Sequence, residues 1–204
     1  MTPALLVATT NPGKMAEIRG ALQGLAVRLL TLADVPPIPE PEETGATFGE
    51  NARIKAIAYA SGSGLPTVAE DSGLAIDALG GRPGVASARY PGATYAEKFA
   101  GLYAELALAP RPWTARFVCS VALVEGPDEV GAPRPAGLFV CEGAVEGEIA
   151  ETPRGEHGFG YDPIFFYPPY GCTLAEVPSG CKLAVSHRGR AFRLLRAFLE
   201  DRRG

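Results

Sequence analysis

The chain has 204 residues, of which 47% are hydrophobic and 21% charged, as in an ordinary globular protein. This length predicts a single domain over residues 1–204, or a domain with a small lobe, with a sizeable core. The net charge of −4 argues against a nucleic-acid duplex as the main partner, because domains that bind duplexes are usually basic.

The first apolar run has only five residues, too few for a secretory signal or a membrane span. We therefore expect a cytoplasmic protein without a membrane partner. The sequence contains no CxxC pair of the kind that binds zinc. Cys119 and Cys141 lie in strand-like runs and should be buried, while a disulfide between Cys172 and Cys181 is an alternative to free thiols.

Residues 4–8 predict a buried strand, and a helix with Met15, Ile18 and Leu22 on its apolar face follows. The helix start directs free N–H groups and the positive end of the helix dipole at one place. We therefore expect phosphate binding by the connecting loop, although a plain turn is the alternative and neither the Walker nor the GxGxxG spacing is present. The loop residues are Thr9, Thr10, Asn11, Pro12, Gly13 and Lys14.

Two capping boxes follow an irregular, proline-rich connection at residues 31–46. Thr47 with Glu50 and Thr94 with Glu97 each predict the start of a helix. The two helices should reach about residues 60 and 108, and a last helix at 186–201 should bury Leu194, Leu195 and Phe198.

Strand-like runs separate these helices. The two longest should form a hairpin across a Gly/Pro loop at 126–137. Strands that alternate with helices early and pair with each other later favour a mixed α/β fold. The runs are 66–69, 114–125, 138–150 and 164–167.

Two adjacent carboxylates, Glu70 and Asp71, follow the strand predicted at 66–69. Adjacent carboxylates repel each other unless a cation lies nearby, and the carboxyl ends of strands line the ligand crevice of α/β sheets. We predict that this acidic strand end shares a crevice with the phosphate loop and binds magnesium, which commonly joins one or two carboxylates to substrate phosphates. A turn built on Asp71, Ser72 and Gly73 is the alternative.

Glycines and aromatic residues alternate in residues 157–163. Phe159 is suited to stack on a base and Asp162 to bind its edge, because glycine lets a backbone approach a flat ligand closely. A glycine-rich hairpin with packed aromatic rings is the alternative. Near the carboxyl end, Lys182 supplies a compact ammonium, and Arg188 offers a fork of donors to an oxo group or a phosphate.

Six stretches of the chain carry a shared pattern: TTNPGKMAE (9–17), EETGATFGENA (42–52), DSGLAIDALGGRPG (71–84), SARY (87–90), GFGYDPIFF (158–166) and SHRGRA (186–191). Together they resemble one family, the inosine triphosphate pyrophosphatases, also called dITP/XTP or non-canonical purine nucleoside triphosphate pyrophosphatases. One departure is Glu70, where the family often has aspartate, which makes Glu70 an additional metal candidate.

The resemblance implies an elongated α/β fold, in which helices flank a mixed sheet and a central cleft separates two lobes. It also implies a homodimer that requires Mg²⁺ and hydrolyses ITP, dITP or XTP to the monophosphate and pyrophosphate, which would cleanse the nucleotide pool. Two alternatives remain open. One is a related pyrophosphatase for modified pyrimidine or other nucleoside triphosphates, and the other is a non-catalytic nucleotide sensor or RNA-binding module.

The resemblance also assigns roles to individual residues. The loop at 9–14 would hold the triphosphate, Glu42 and Asp71 would bind magnesium, Asp71 would accept a proton from water, and Ser72 would contact the substrate. Contacts to the base and the phosphates would come from Phe159, Gly160, Tyr161, Asp162, Lys182, His187 and Arg188.

Overall fold

A computed structural model describes residues 3–125 and 137–202, and within these ranges seven strands form one sheet. The strands are β1 (Ala4–Val7), β2 (Arg28–Thr31), β3 (Thr67–Ile76), β4 (Thr114–Val124), β5 (Leu138–Ile149), β6 (Phe165–Tyr167) and β7 (Cys172–Thr173). The α-helices of the same ranges are α1 (Pro12–Ala21), α2 (Phe48–Ser63), α3 (Tyr95–Leu106), α4 (Ser179–Val185) and α5 (His187–Asp201).

The sheet is mixed and has the strand order β2-β1-β3-β4-β5-β6-β7. β1 pairs in parallel with β2 and β3, whereas β6 pairs antiparallel with β5 and β7. Parallel neighbours need long connections, which α1 and α2 provide. This architecture confirms the predicted α/β fold, and β4 and β5 are neighbours as expected. Their predicted loop lies outside the described residues except for its last residue, Gly137.

The chain forms two compact units with separate cores. Unit 1 comprises residues 1–71, 119–143 and 188–204, and unit 2 comprises 72–118 and 144–187. In unit 1, consecutive residues of β1 alternate between an apolar cluster with α1 and α5 and another with α2. The core of unit 2 gathers α3 with the parts of β3, β4 and β5 in that unit. The predicted cleft between two lobes stays a prediction.

The predicted helix starts are confirmed by their caps. Asn11 caps α1, and Pro12 occupies its first turn. Thr47 and Glu50 form the predicted capping box, after which α2 extends to Ser63 and ends at a left-handed Gly64. No helix within the described ranges is long and apolar enough to cross a membrane.

Several local expectations were wrong or incomplete. The strand β2 and the short helix α4 were not predicted. Leu194 is 49% exposed and lies outside the buried stripe of α5, whereas the predicted Leu195 is buried beside Phe192 and the predicted Phe198 is partly buried. All four cysteines are free, which excludes the alternative of a disulfide between Cys172 and Cys181 in this structure, and Cys119 is buried as predicted.

The capping box of α2 gives a first test of stability. Thr47→Ala removes the oxygen that accepts from the Glu50 N–H at 3.2 Å. We expect the free energy of unfolding to fall by about 1 kcal/mol, the usual cost of losing an N-cap. Urea denaturation measures this difference. Thr47→Ser keeps an acceptor oxygen and serves as the control; an equal loss in both variants would contradict the capping role.

Candidate functional site

Glu70 and Asp71 lie inside β3 and not at the end of a strand, which corrects the prediction. The strand continues past them because Gly73 lets two backbone segments approach closely. A Cβ on this glycine would lie only 2.6 Å from the carbonyl oxygen of Gly84. The glycine of this segment therefore serves a close backbone approach and not a turn.

The two adjacent acids have different partners because successive side chains of a strand point to opposite faces of the sheet. Val68 belongs to the apolar cluster with α1 and α5, whereas Ala69 belongs to the cluster with α2. Glu70 accordingly meets cations from α1 and α5, and Asp71 meets side chains of α2. The expected repulsion between the two carboxylates is thus relieved by separate partners.

Glu70 is fully buried and is neutralised by two cations. One carboxylate oxygen lies 2.6 Å from Nζ of Lys14, and the other lies 3.4 Å from a terminal nitrogen of Arg188. Arg188 also donates to Glu17 at 2.5 Å. Burial acts to raise the pKa of Glu70, but the charges of Lys14 and Arg188 outweigh it and hold the pKa far below its ordinary value.

The depressed pKa of Glu70 predicts a loss of stability in acid. Because the unfolded chain binds this proton more readily, the ionised pair stabilises the fold above the ordinary glutamate pKa of 4.5, and the stabilisation is lost as the pH falls towards the folded pKa. The free energy of unfolding should therefore decline between about pH 5 and pH 2.

Urea unfolding over this pH range compares the natural protein with Glu70→Gln. The variant should be less stable at neutral pH but should depend less on pH in the acid range, because it has no carboxyl group to protonate. Parallel pH dependences in the two proteins would show that Glu70 is not the titrating group.

Asp71 is also buried, and two side chains of α2 hold its carboxylate. The Asn51 side-chain amide donates to it at 3.1 Å, and the ammonium of Lys55 lies 3.3 Å away. The same ammonium lies 2.5 Å from Glu43. Burial raises the pKa of Asp71 more than Lys55 and Asn51 lower it, so the pKa is raised overall. A raised pKa makes this carboxylate a better proton acceptor.

Some backbone N–H groups of the loop between β1 and α1 already donate to side chains of the same loop. The Asn11 side-chain oxygen accepts from the Lys14 N–H at 3.0 Å, and the Thr9 hydroxyl accepts from the Asn11 N–H at 3.2 Å. The loop therefore offers fewer N–H donors to a phosphate than the sequence predicts. Lys14 nevertheless brings this loop to Glu70, next to Asp71 in β3. Thr10 and Pro12 are exposed, and Gly13 is half-buried.

The predicted metal ligand Glu42 is exposed, and the neighbouring Glu43 is the acid that meets Lys55. Within residues 3–125 and 137–202, no three His, Cys, Asp or Glu side chains converge as a metal site. Magnesium does not require such a group, since it is commonly bound by one or two carboxylates together with substrate phosphates. The carboxylates of Glu43 and Asp71 both lie close to the Lys55 ammonium. Their oxygen atoms are therefore donors that fit a hard divalent cation.

In unit 2, the polar atoms of the loop at 159–162 are tied to one another. The buried Asp162 accepts from Nζ of Lys182 at 2.5 Å and from the N–H of Phe159 at 2.8 Å, both on the same oxygen. The Lys182 ammonium also lies 4.9 Å from the centre of the Phe159 ring. Lys182 and Asp162 therefore fix the loop that presents Phe159.

The other predicted residues of unit 2 differ in exposure. His187 is buried at the start of α5, where its ring stacks on Phe117 with 4.7 Å between centroids. Tyr161 is buried, and its hydroxyl donates to the carbonyl oxygen of Ser87 at 2.8 Å. The half-buried residues are Ser72 and Gly160.

The partners of Asp71 were not predicted from the sequence. Asn51 lies within the stretch 42–52, where only Glu42 was selected as a functional residue. Lys55 had a detectable signal, because it is one of only four lysines beside fifteen arginines. Within the described residues, three of these lysines contact a carboxylate, namely Lys14, Lys55 and Lys182.

The Ham1 family model matches residues 5–198. The chain belongs to the Ham1 family. A relative from Geobacter sulfurreducens, named dITP/XTP pyrophosphatase, is 47% identical over 199 residues, which cover 96% of each chain. The solved structure of a HAM1 protein from Coxiella burnetii has a TM-score of 0.86 and 42% identity, covering 98% of this chain and 99% of that one. The Staphylococcus aureus Ham1 protein gives a TM-score of 0.84 at 36% identity, with the same coverage.

Membership in the Ham1 family confirms the resemblance carried by the six sequence stretches. The match runs from β1 into α5, so it includes both units. The solved Ham1 structures likewise confirm the α/β fold with a mixed sheet.

Proposed function

We propose that this Ham1 protein hydrolyses ITP, dITP and XTP to the monophosphate and pyrophosphate and thereby cleanses the nucleotide pool. Relatives named dITP/XTP pyrophosphatase match it over nearly the full chain. The structural observation that carries the proposal is the ion pair of Lys14 with Glu70, because it ties the loop after β1 to the strand of Asp71. The proposed phosphate-binding cation, Lys14, and the proposed proton acceptor, Asp71, thereby belong to one unit, with Lys14 meeting Glu70 on the face of β3 opposite to the Asp71 side chain.

In this proposal the loop at 9–14 binds the triphosphate. The side chain of Lys14 is 22% exposed, and Glu70 fixes the position of its ammonium. The start of α1 adds the positive end of the helix dipole. Ser72 follows Asp71 in β3 and contributes a hydroxyl group to the substrate.

Asp71 is the proposed proton acceptor. The oxygen of a water molecule attacks the α-phosphorus while Asp71 takes up a proton from that water. The bond from the α-phosphorus to the oxygen that bridges it to the β-phosphorus breaks, and pyrophosphate leaves with that oxygen. Lys14 stabilises the charge of the leaving group. Asn51 and Lys55 keep the Asp71 carboxylate in place.

The proposed ligands of Mg²⁺ are Glu42 and Asp71. Glu43 is a further candidate because it shares the Lys55 ammonium with Asp71. When bound, Mg²⁺ would neutralise charge on the triphosphate and polarise the phosphoryl oxygens.

Unit 2 supplies the proposed base contacts. The Phe159 ring is suited to stack on a purine, and the ion pair of Lys182 with Asp162 keeps this loop fixed. The predicted contact of Arg188 with the purine oxygen stays a prediction. In this structure Arg188 is 1% exposed and donates to Glu17 and Glu70, which gives it a structural role as well.

A panel of nucleoside triphosphates with Mg²⁺ tests the proposed function. We expect ITP, dITP and XTP to release pyrophosphate and a monophosphate, and ATP and the pyrimidine nucleotides to react far more slowly. Pyrophosphate and orthophosphate are assayed separately. Orthophosphate as the first product would mean cleavage at an outer phosphate and another kind of enzyme, and binding without turnover would favour a nucleotide sensor.

The homodimer and the cytoplasmic location implied by the resemblance are also proposals. Sedimentation velocity at micromolar concentration tests the dimer, since it distinguishes 21.3 kDa protomers from a species of twice that mass.

A further inference from the structure

We propose that Tyr95, the first residue of α3, contacts the substrate directly and that its hydroxyl donates a hydrogen bond to the oxo group of the purine base. The proposal rests on the proposed function and adds a residue that determines base specificity. Neither the sequence motifs nor the resemblance to the family indicates Tyr95 as a functional residue.

Tyr95 lies directly against the loop at 159–162. Its ring meets Tyr161 edge to face, with 5.3 Å between centroids and 90° between planes. If Gly160 carried a Cβ, the nearest atom to it would be the Tyr95 hydroxyl oxygen, at 3.5 Å. Gly160 has φ of +67°, which favours glycine, and a side chain at this position would place its Cβ against the Tyr95 hydroxyl.

The ring of Tyr95 is held in place, but its hydroxyl is available. Phe99 packs against the ring at 6.1 Å, and the Lys98 ammonium lies 5.2 Å from its centre. Tyr95 is nevertheless 42% exposed. Within residues 3–125 and 137–202 its interactions are ring contacts and the nearby Lys98 ammonium, with no hydrogen bond from its hydroxyl. The hydroxyls of Tyr103 and Tyr161, in contrast, donate to backbone carbonyl oxygens.

The nearby polar groups explain why an oxo group is the expected partner. Asp162 is occupied by Lys182 and by the Phe159 N–H, so these groups stabilise the loop itself. Burial and the negative charge of Asp162 raise the pKa of Tyr95, which keeps its phenol protonated and able to donate. A donor beside an aromatic stacking residue is suited to a heterocycle that presents a carbonyl oxygen.

Tyr95→Phe tests the contact, because it keeps the ring and removes the hydroxyl. Steady-state kinetics compare ITP with purine riboside 5′-triphosphate, which lacks the 6-oxo group. We expect the KM for ITP to rise about 2- to 12-fold, corresponding to the loss of one neutral hydrogen bond. The kcat for ITP should not change, since the contact is made equally in the ground state and the transition state. The KM for purine riboside 5′-triphosphate should not change either.

Tyr170→Phe is the matched control. Tyr170 is 43% exposed and also has an edge-to-face partner, Tyr167 at 5.0 Å, so it resembles Tyr95 in exposure and packing. This variant should leave the KM of both nucleotides unchanged. Thermal unfolding of the two variants shows whether either substitution disturbs packing.

An unchanged KM for ITP in Tyr95→Phe would overturn the proposal. An equal rise in KM for both nucleotides would also overturn it, because it would indicate that the hydroxyl orders the loop and does not read the oxo group. If the natural protein releases no pyrophosphate from any purine nucleotide, the proposed function fails and this proposal fails with it. An active natural protein with an insensitive Tyr95→Phe variant overturns only the role of Tyr95.

Discussion

Asp71→Asn is expected to lower the kcat for ITP by about 10²- to 10⁴-fold, the range that proton transfer by a positioned side chain contributes. Asparagine has the same shape as aspartate but cannot accept a proton from water. The fold should remain intact because Lys55 loses only a contact at 3.3 Å and keeps its shorter one to Glu43 at 2.5 Å. Pyrophosphate release with ITP and Mg²⁺ measures activity, and thermal unfolding measures stability.

Asp77→Asn provides the control for Asp71→Asn. Asp77 is an exposed acid just after β3 that interacts with Thr114 and Arg116, and it has no proposed part in the reaction. Its variant should retain normal turnover. A folded Asp71→Asn protein with near-normal kcat would remove Asp71 from the role of proton acceptor.

Arg188→Ala is expected to reduce the free energy of unfolding by about 3–5 kcal/mol, the usual cost of removing one partner of a buried ion pair. The variant leaves Glu70 inside the protein with Lys14 as its remaining close cation, and it removes the 2.5 Å ion pair to Glu17. Urea denaturation at neutral pH measures the loss. Arg190→Ala, at an exposed position of the same helix, should cost far less.

A double-mutant cycle separates the ion pair from other effects of the Arg188 substitution. Because Arg188 and Glu70 interact directly, Arg188→Ala combined with Glu70→Gln should cost less than the sum of the two single changes. Strict additivity would contradict the pairing. The kinetics of any folded Arg188→Ala protein also test the predicted base contact, since an unchanged ratio of ITP to ATP turnover would exclude it.

Features set by a few neighbouring residues could be predicted from the sequence. The predicted caps of α2 and α3, at Thr47 and Thr94, each depend on residues three positions apart, and both are present in the structure. Hydrophobic periodicity likewise placed Ile18 and Leu22 in the core of unit 1.

The continuation of β3 past Asp71 could not be predicted, because it depends on distant parts of the chain. Asp, Ser and Gly in a row favour a turn locally. In the folded protein, the Leu74 N–H donates to the Ser87 hydroxyl at 2.9 Å, and Gly73 allows this approach. Tertiary contacts with residues more than ten positions away therefore override the local preference.

The partners of the acidic residues could not be predicted from the sequence for the same reason. Arg188 and Glu70 are 118 positions apart in the sequence, and no local pattern indicates that they pair. The sequence therefore indicated Arg188 as a functional cation without revealing that its two terminal nitrogens donate to Glu17 and Glu70. The short helix α4 was missed because its first turn has no side-chain cap.

The alternation of β3 assigns two tasks to consecutive residues. Glu70 anchors Lys14 on one side of the sheet, while Asp71 is tuned from the other side, where its pKa depends first on burial and then on Lys55 and Asn51, with Glu70 the last contributor. Protein engineers could therefore adjust the basicity of Asp71 mainly through α2. Lys55 of α2 is only the last contributor to the pKa of Glu70, so the lysine anchor on the opposite side should change much less than Asp71.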